Sequence, residues 1–211
     1  MSKRVNLKGM SIKQRVSYFW DYYRYHVIAS GIALLVVGMM FKEISDKPNI
    51  LLNVAISERV NESTDMTQLE QALTAVFNPQ AKDEEVIRVY AYPFNQIESN
   101  LNDLTQVYLE KFVAQVAISE LDVFILEEQD FSYFFEQGIF KPLDQLLQNL
   151  DVVDLKTQVK LIENQVYAIR LDGNETLAAE GIETENKVIT ILSNSMRPEE
   201  SEAFILSLLN H

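Results

Sequence analysis

Between Ile50 and Leu126 the chain switches back and forth between two periods of apolar spacing, and that alternation narrows the available folds more than any other feature. Ile50 to Ile56 is a nearly continuous apolar run, the pattern of a strand covered on both faces. Ser63, Thr64 and Asp65 are cap candidates ahead of Met66, Leu69, Leu73, Val76 and Phe77, which mark one side of a helix. Val86 to Tyr92 reads as a second strand, halted by Pro93. Leu101, Leu104, Tyr108, Phe112 and Val116 line a second helix, and Asp122 to Leu126 makes a third strand. Strand-helix-strand-helix-strand implies right-handed crossovers and a parallel arrangement at the centre of one α/β sheet.

The second half is less regular. Phe131 to Glu136 reads as a short helix ended by Gly138, and Pro142 to Leu150 as another opened by proline. Val159 to Ile162 and Gln165 to Leu171 suggest a hairpin around Glu163-Asn164. Asp172 to Glu185 is polar and punctuated by glycine, the signature of a loop. Lys187 to Leu192 is a last strand, and Pro198 to Leu209 a closing helix with Glu199, Glu200 and Glu202 in its first turns, where acids suit the dipole.

The N-terminal part has a different character. Val27 to Phe41 carries no charge over fifteen positions, fewer than the ~20 needed to span ~30 Å of hydrocarbon. Its flanks supply an aromatic belt from Phe19 and Trp20 through Tyr22, Tyr23 and Tyr25 to His26, while Ile44 extends it on the far side. Residues 1 to 41 hold six basic side chains against Asp21 alone, a net of +5, whereas the rest holds 12 basic and 30 acidic side chains, a net of −18. This asymmetry predicts an uncleaved signal-anchor in a single-pass cell-membrane protein, with the lipid bilayer as partner and Trp20, Tyr22, Tyr23, Val27, Leu34, Leu35 and Phe41 as anchor residues. A cleaved signal peptide is disfavoured because Lys42-Glu43-Ile44-Ser45-Asp46 offers no small-x-small site. Ile12, Val16, Phe19 and Tyr23 recur at helical spacing, so this stretch either lies in the headgroup region or forms solvated first turns. The expected organisation is a cytoplasmic basic and aromatic juxtamembrane segment (1–26), a transmembrane helix (27–44), a linker (45–49) and an extracellular α/β domain (50–211).

Several function classes are excluded by composition. The chain has no cysteine, so disulfides, thiolate nucleophiles and Cys-ligated zinc are absent, and only two histidines, His26 and His211. The net charge of −13 over 211 residues leaves no basic face for nucleic acid outside the first 25 residues. No G-x-S-x-G, Gly-rich phosphate loop or metal-ligand histidine pair occurs. No cofactor, metal or catalytic residue is expected, and the chain is read as a non-enzyme.

Asp122-Val-Phe-Ile-Leu126, followed by Phe131 to Phe135, Gly138 and Lys141-Pro-Leu-Asp144, resembles the stretch of type 2 extracellular solute-binding proteins in which a strand leads through a helix and a glycine to a "pLdd" turn. Val166-Tyr-Ala-Ile-Arg-Leu171 is similar to their "vyglP" strand, with Arg170 and Leu171 where the proline is expected. Asn194-Ser195 and Pro198-Glu199 leading to Ala203-Phe204-Ile205 resemble their "NS…pE-A…F" return, and Tyr18 to His26 resembles single-span membrane proteins of Gram-positive bacteria. The resemblance implies a three-layer domain like one lobe of a solute-binding protein. The second lobe would be inserted between Leu171 and Lys187, where only about 15 residues stand; hinge closure around a ligand then has no second lobe to close against.

Ligands of open parallel sheets sit beyond the carboxyl ends of the strands. Those ends are Ser57-Glu58-Arg59, Tyr92-Pro93-Phe94 and Glu127-Glu128-Gln129-Asp130. Glu58, Glu127, Glu128 and Asp130 are therefore the candidate ligand-binding residues, as carboxylates able to meet a cation or cationic group; the alternative is a solvated acidic turn. The leading functional expectation is a membrane-anchored extracellular interaction domain that docks an envelope or membrane protein. The alternative is a binding module for a small-molecule ligand, a cation, a sugar or a peptide, at the strand ends.

Overall fold

A computed structural model of the chain describes residues 11–45, 48–57, 66–81, 85–94, 96–97, 103–148, 159–162 and 164–209. Two compact units result, residues 1–47 and residues 48–211. The first unit contains one helix, α1 (Ile12–Ser45), continuous over 34 residues. On it the Phe19 and Tyr23 rings lie 5.0 Å apart in a tilted arrangement, and the Arg24 guanidinium lies 4.7 Å over the Tyr25 ring. Trp20, Tyr23, Val27, Leu34 and Leu35 are exposed.

Among the described residues no helix is long and apolar enough to cross a membrane. This corrects the expected transmembrane segment at 27–44, and with it the signal-anchor, the single-pass topology and the assignment of 1–26 to the cytoplasm and 50–211 to the outside. Trp20, Tyr22, Tyr23, Val27, Leu34, Leu35 and Phe41 all lie on α1. The physical reason is length: fifteen uncharged residues rise only about 22 Å as a helix, against ~30 Å of hydrocarbon. Arg24 and His26 bound the run on one side and Lys42 and Glu43 on the other, and Ser30, Gly31 and Gly38 dilute it.

The second unit is a mixed α/β domain around one six-stranded sheet. In chain order its elements are β1 (Asn49–Ser57), α2 (Met66–Phe77), β2 (Glu85–Tyr92), α3 (Asp103–Ala117), β3 (Val123–Glu127), α4 (Glu128–Glu136), α5 (Asp144–Gln148), β4 (Val159–Ile162), β5 (Gln165–Arg170), α6 (Glu175–Ala179), β6 (Lys187–Ile191) and α7 (Pro198–Leu209). The strand order is β2-β1-β3-β6-β5-β4. β1 runs parallel to β2 and β3, as the two helical crossovers require, while β6, β5 and β4 join by antiparallel pairings. Asn164, at φ +67, turns the β4–β5 hairpin, a left-handed position that asparagine tolerates.

Alternation along the strands feeds two separate cores. Leu52, Val54 and Ile56 of β1 face a layer containing Leu69 and Leu73 of α2 and Phe204, Ile205 and Leu208 of α7. Ala55 and, from β3, Phe124 face the opposite layer with Tyr92, Phe112 and Phe134. That second layer is aromatic: Phe112 and Phe124 ring centroids lie 4.7 Å apart, and Phe134 lies 5.2 Å from each. Both faces of the central strands are thus dry, which explains why β1 and β3 read as unbroken apolar runs.

Three sequence expectations change in detail. The helix expected from Phe131 begins at Glu128 instead, directly after β3. The segment expected as a loop from Asp172 to Glu185 contains α6, whose N-cap Asn174 accepts a 3.0 Å hydrogen bond from Leu177 N. Leu104, expected on the inner side of α3, is exposed, whereas Phe112 and Val116 are buried as expected. The cap candidates Ser63, Thr64 and Asp65 lie outside the described residues, as does Leu101.

Candidate functional site

The carboxyl end of β3 gathers three of the four candidate carboxylates, and each has a partner. Glu127, the last residue of β3, sits opposite Lys187 in the antiparallel β3–β6 register. The Lys187 ammonium is 3.8 Å from the Glu127 carboxylate, on a side chain only 1% exposed. Burying a lysine is tolerable only with a countercharge at hand, so Glu127 serves first to hold Lys187.

Glu128 opens α4, and its amide donates to Asn186 O at 2.7 Å. Its carboxylate accepts from Arg170 at 2.7 and 2.6 Å, one nitrogen reaching both oxygens. That hydrogen bond, and the negative charge behind it, push the Arg170 pKa upward. Asn186 is held in turn by Asp172, whose Oδ1 accepts from the Asn186 amide at 2.8 Å. Glu127, Glu128, Gln129, Ser132 and Asn186 border an open depression of about 520 Å³.

Asp130 plays a different part. It is buried within α4, and its two oxygens accept the backbone amides of Gln96 (3.1 Å) and Ile97 (2.8 Å). Burial raises its pKa, and those two amide bonds partly offset the rise. The Asp130 carboxylate therefore fastens the turn after β2 to the helix after β3. Glu58, the fourth candidate, lies outside the described residues; at the same end, Ser57 donates to Phe94 O at 3.2 Å.

The opposite end of β3 holds a cluster that sequence reasoning missed. Asp122 is fully buried; its Oδ2 accepts from Asn53 N (2.9 Å) and from the Arg197 guanidinium (2.9 Å), and its Oδ1 accepts from Ser195 Oγ (2.7 Å). Close by, Tyr90 donates to Glu120 at 3.0 Å, Gln115 donates to the other Glu120 oxygen at 3.1 Å, and Tyr92 donates to Gln115. Burial and the neighbouring Glu120 carboxylate lift the Tyr90 pKa to about 12 and push Tyr92 up as well. These phenols stay protonated and act as hydrogen-bond donors rather than bases.

At the sheet edge, a cleft of about 630 Å³ lies between α2 and β2, bordered by Glu70, Thr74, Asn78 and Arg88. Glu70 and Arg88 approach to 3.3 Å across it. Among the described residues no group of three or more His, Cys, Asp or Glu is placed to hold a metal ion.

The remaining distinctive feature is apolar. α3 buries Thr105, Phe112 and Val116, yet Leu104 (64% exposed), Val107 (61%) and Val113 face outward, as does Ile118 (70%) just beyond the helix. The Ile118 amide still bonds to Ala114 O at 3.2 Å, so Ile118 continues the helical course. The signal for this face was present in the sequence, since apolar residues occur all round α3. Family models, curated proteins and solved structures give no match to this chain.

Proposed function

We propose that the α/β domain is a non-catalytic interaction module that docks a protein partner. The observation that carries this reading is the outward row of Leu104, Val107 and Ile118 on a domain that is otherwise strongly acidic. Large apolar side chains clustered on one side of a surface helix are the usual footprint of a protein contact. Three further features agree with it. The strand-end carboxylates Glu127, Glu128 and Asp130 already serve internal partners. The tyrosines of the hydrogen-bonded network are held protonated. Residues 172–186 form α6 and turns, which leaves no second lobe there to close over a ligand.

The competing reading, a binding module for a cation, sugar or peptide, is favoured only by the depression beside Glu127 and Glu128. Photocrosslinking decides between them. A photoreactive residue at Val107 should give one discrete protein adduct in the native cells, and the same group at Ser132 should give none. Adducts from Ser132 and none from Val107 would overturn docking through α3.

A further inference from the structure

Leu104, Val107, Lys111, Ala114 and Ile118 are separated by three, four, three and four residues. That is the spacing of the a and d positions of a heptad, which keeps one seam facing a neighbouring helix. All five are exposed, and the seam runs about 21 Å along α3. Lys111, at the middle of the seam, is drawn aside, its ammonium lying 5.9 Å over the Tyr92 ring. The position that flanks such a seam in the next register is occupied by Glu110, which is exposed and whose carboxylate accepts from Gln106 at 3.2 Å. Residues 48–211 hold ten basic and 28 acidic side chains, a net of −18.

We infer that this seam takes a single partner helix, apolar at its own a and d positions and carrying Lys or Arg beside them. This rests on the docking reading and names its partner. Spacing requires the helix, because only a helix offers knobs at alternating three- and four-residue steps. Charge requires the basic flanks, since they meet Glu110 and the field of the whole domain. A second copy of the chain would instead bring two strongly acidic bodies together.

The test uses the full-length protein and two synthetic three-heptad helices, both with leucine at a and d, one with lysine and the other with glutamate at e and g. The lysine helix should bind and the glutamate helix should bind at least about tenfold more weakly. Val107→Glu is the informative variant, because it adds a negative charge. General attraction of a basic peptide to an acidic protein would strengthen with it, whereas seam docking should weaken at least about tenfold. Ile118→Glu, at the far end of the seam, should do the same, and far-UV circular dichroism with the thermal transition checks that both variants fold. Undiminished binding to either folded variant overturns the proposal. Concentration-dependent dimerisation of the protein alone, abolished by Val107→Glu, would make a second copy the occupant; it would overturn the basic partner while leaving docking through α3 intact. Failure of the docking reading itself would show separately, as the absence of adducts from Val107 in cells.

Discussion

The two ends of β3 carry carboxylates of the same chemistry with opposite fates. At its start, Asp122 is sealed inside and receives hydrogen bonds from β1, from the turn after β6 and from Arg197 just before α7. At its end, Glu127 and Glu128 stand at the rim, each side chain a quarter or less exposed, paired with Lys187 and Arg170. Composition does not distinguish them. What does is where each charge lies: Asp122, sealed where three chain segments meet, is part of the fold, whereas Glu128 faces Arg170 across a partly exposed rim and is an adjustable surface pair.

The comparison can be broken most directly at Asp122. Replacing it with alanine leaves the Asn53 amide, the Ser195 hydroxyl and Arg197 without their acceptor and should cost about 3 kcal/mol or more in urea unfolding. Asp130→Ala removes the acceptor of two backbone amides in one turn and should cost about 1–3 kcal/mol by the same measurement. Glu128→Gln should barely move the unfolding midpoint, because Arg170 is free to return to water. Equal losses for Asp122→Ala and Glu128→Gln would erase the distinction.

A fourth prediction concerns pH. Burial raises the folded-state pKa of Asp130, so the folded protein holds that proton more tightly than the unfolded chain. The native protein should therefore gain stability relative to Asp130→Asn as pH falls through the window just above the ordinary aspartate range, and lose it again as pH rises. A stability difference that is flat across that window, in denaturant titrations at matched ionic strength, would show that the two amide bonds cancel the cost of burial.

Much of the fold was legible because apolar spacing and turn chemistry agreed locally. Ile50 to Ile56, Val86 to Tyr92 and the hairpin at Asn164 all fall where their patterns place them. α6 was hidden by the glycines around it, although Asn174 with Glu175 behind it is an ordinary helix opening. α3 misled for a physical reason: it is apolar on both sides, so spacing alone could not say that Phe112 turns inward and Leu104 outward. The uncharged run from Val27 to Phe41 was read by its flanks when its length was the deciding quantity.

The candidate site was less legible than the fold. Charge density drew attention to Glu127, Glu128 and Asp130, while Asp122, a single acid at the head of a strand, gave no local sign. Its partners Ser195 and Arg197 lie 73 and 75 positions away in the chain, and no short window could have joined them.

The sheet has two edges, β2 and β4, and α2 covers part of the first. Along β2 the Ile87 amide is taken by Thr74 Oγ1 at 2.8 Å and the Val89 amide by a Glu70 oxygen at 2.9 Å, so α2 occupies donors that an incoming strand would need. Among the described residues β4 forms the opposite edge. An incoming strand would have to displace Thr74 and Glu70 before it could pair along the middle of β2, so strand-to-strand growth through that edge carries a cost that an uncovered edge would not impose.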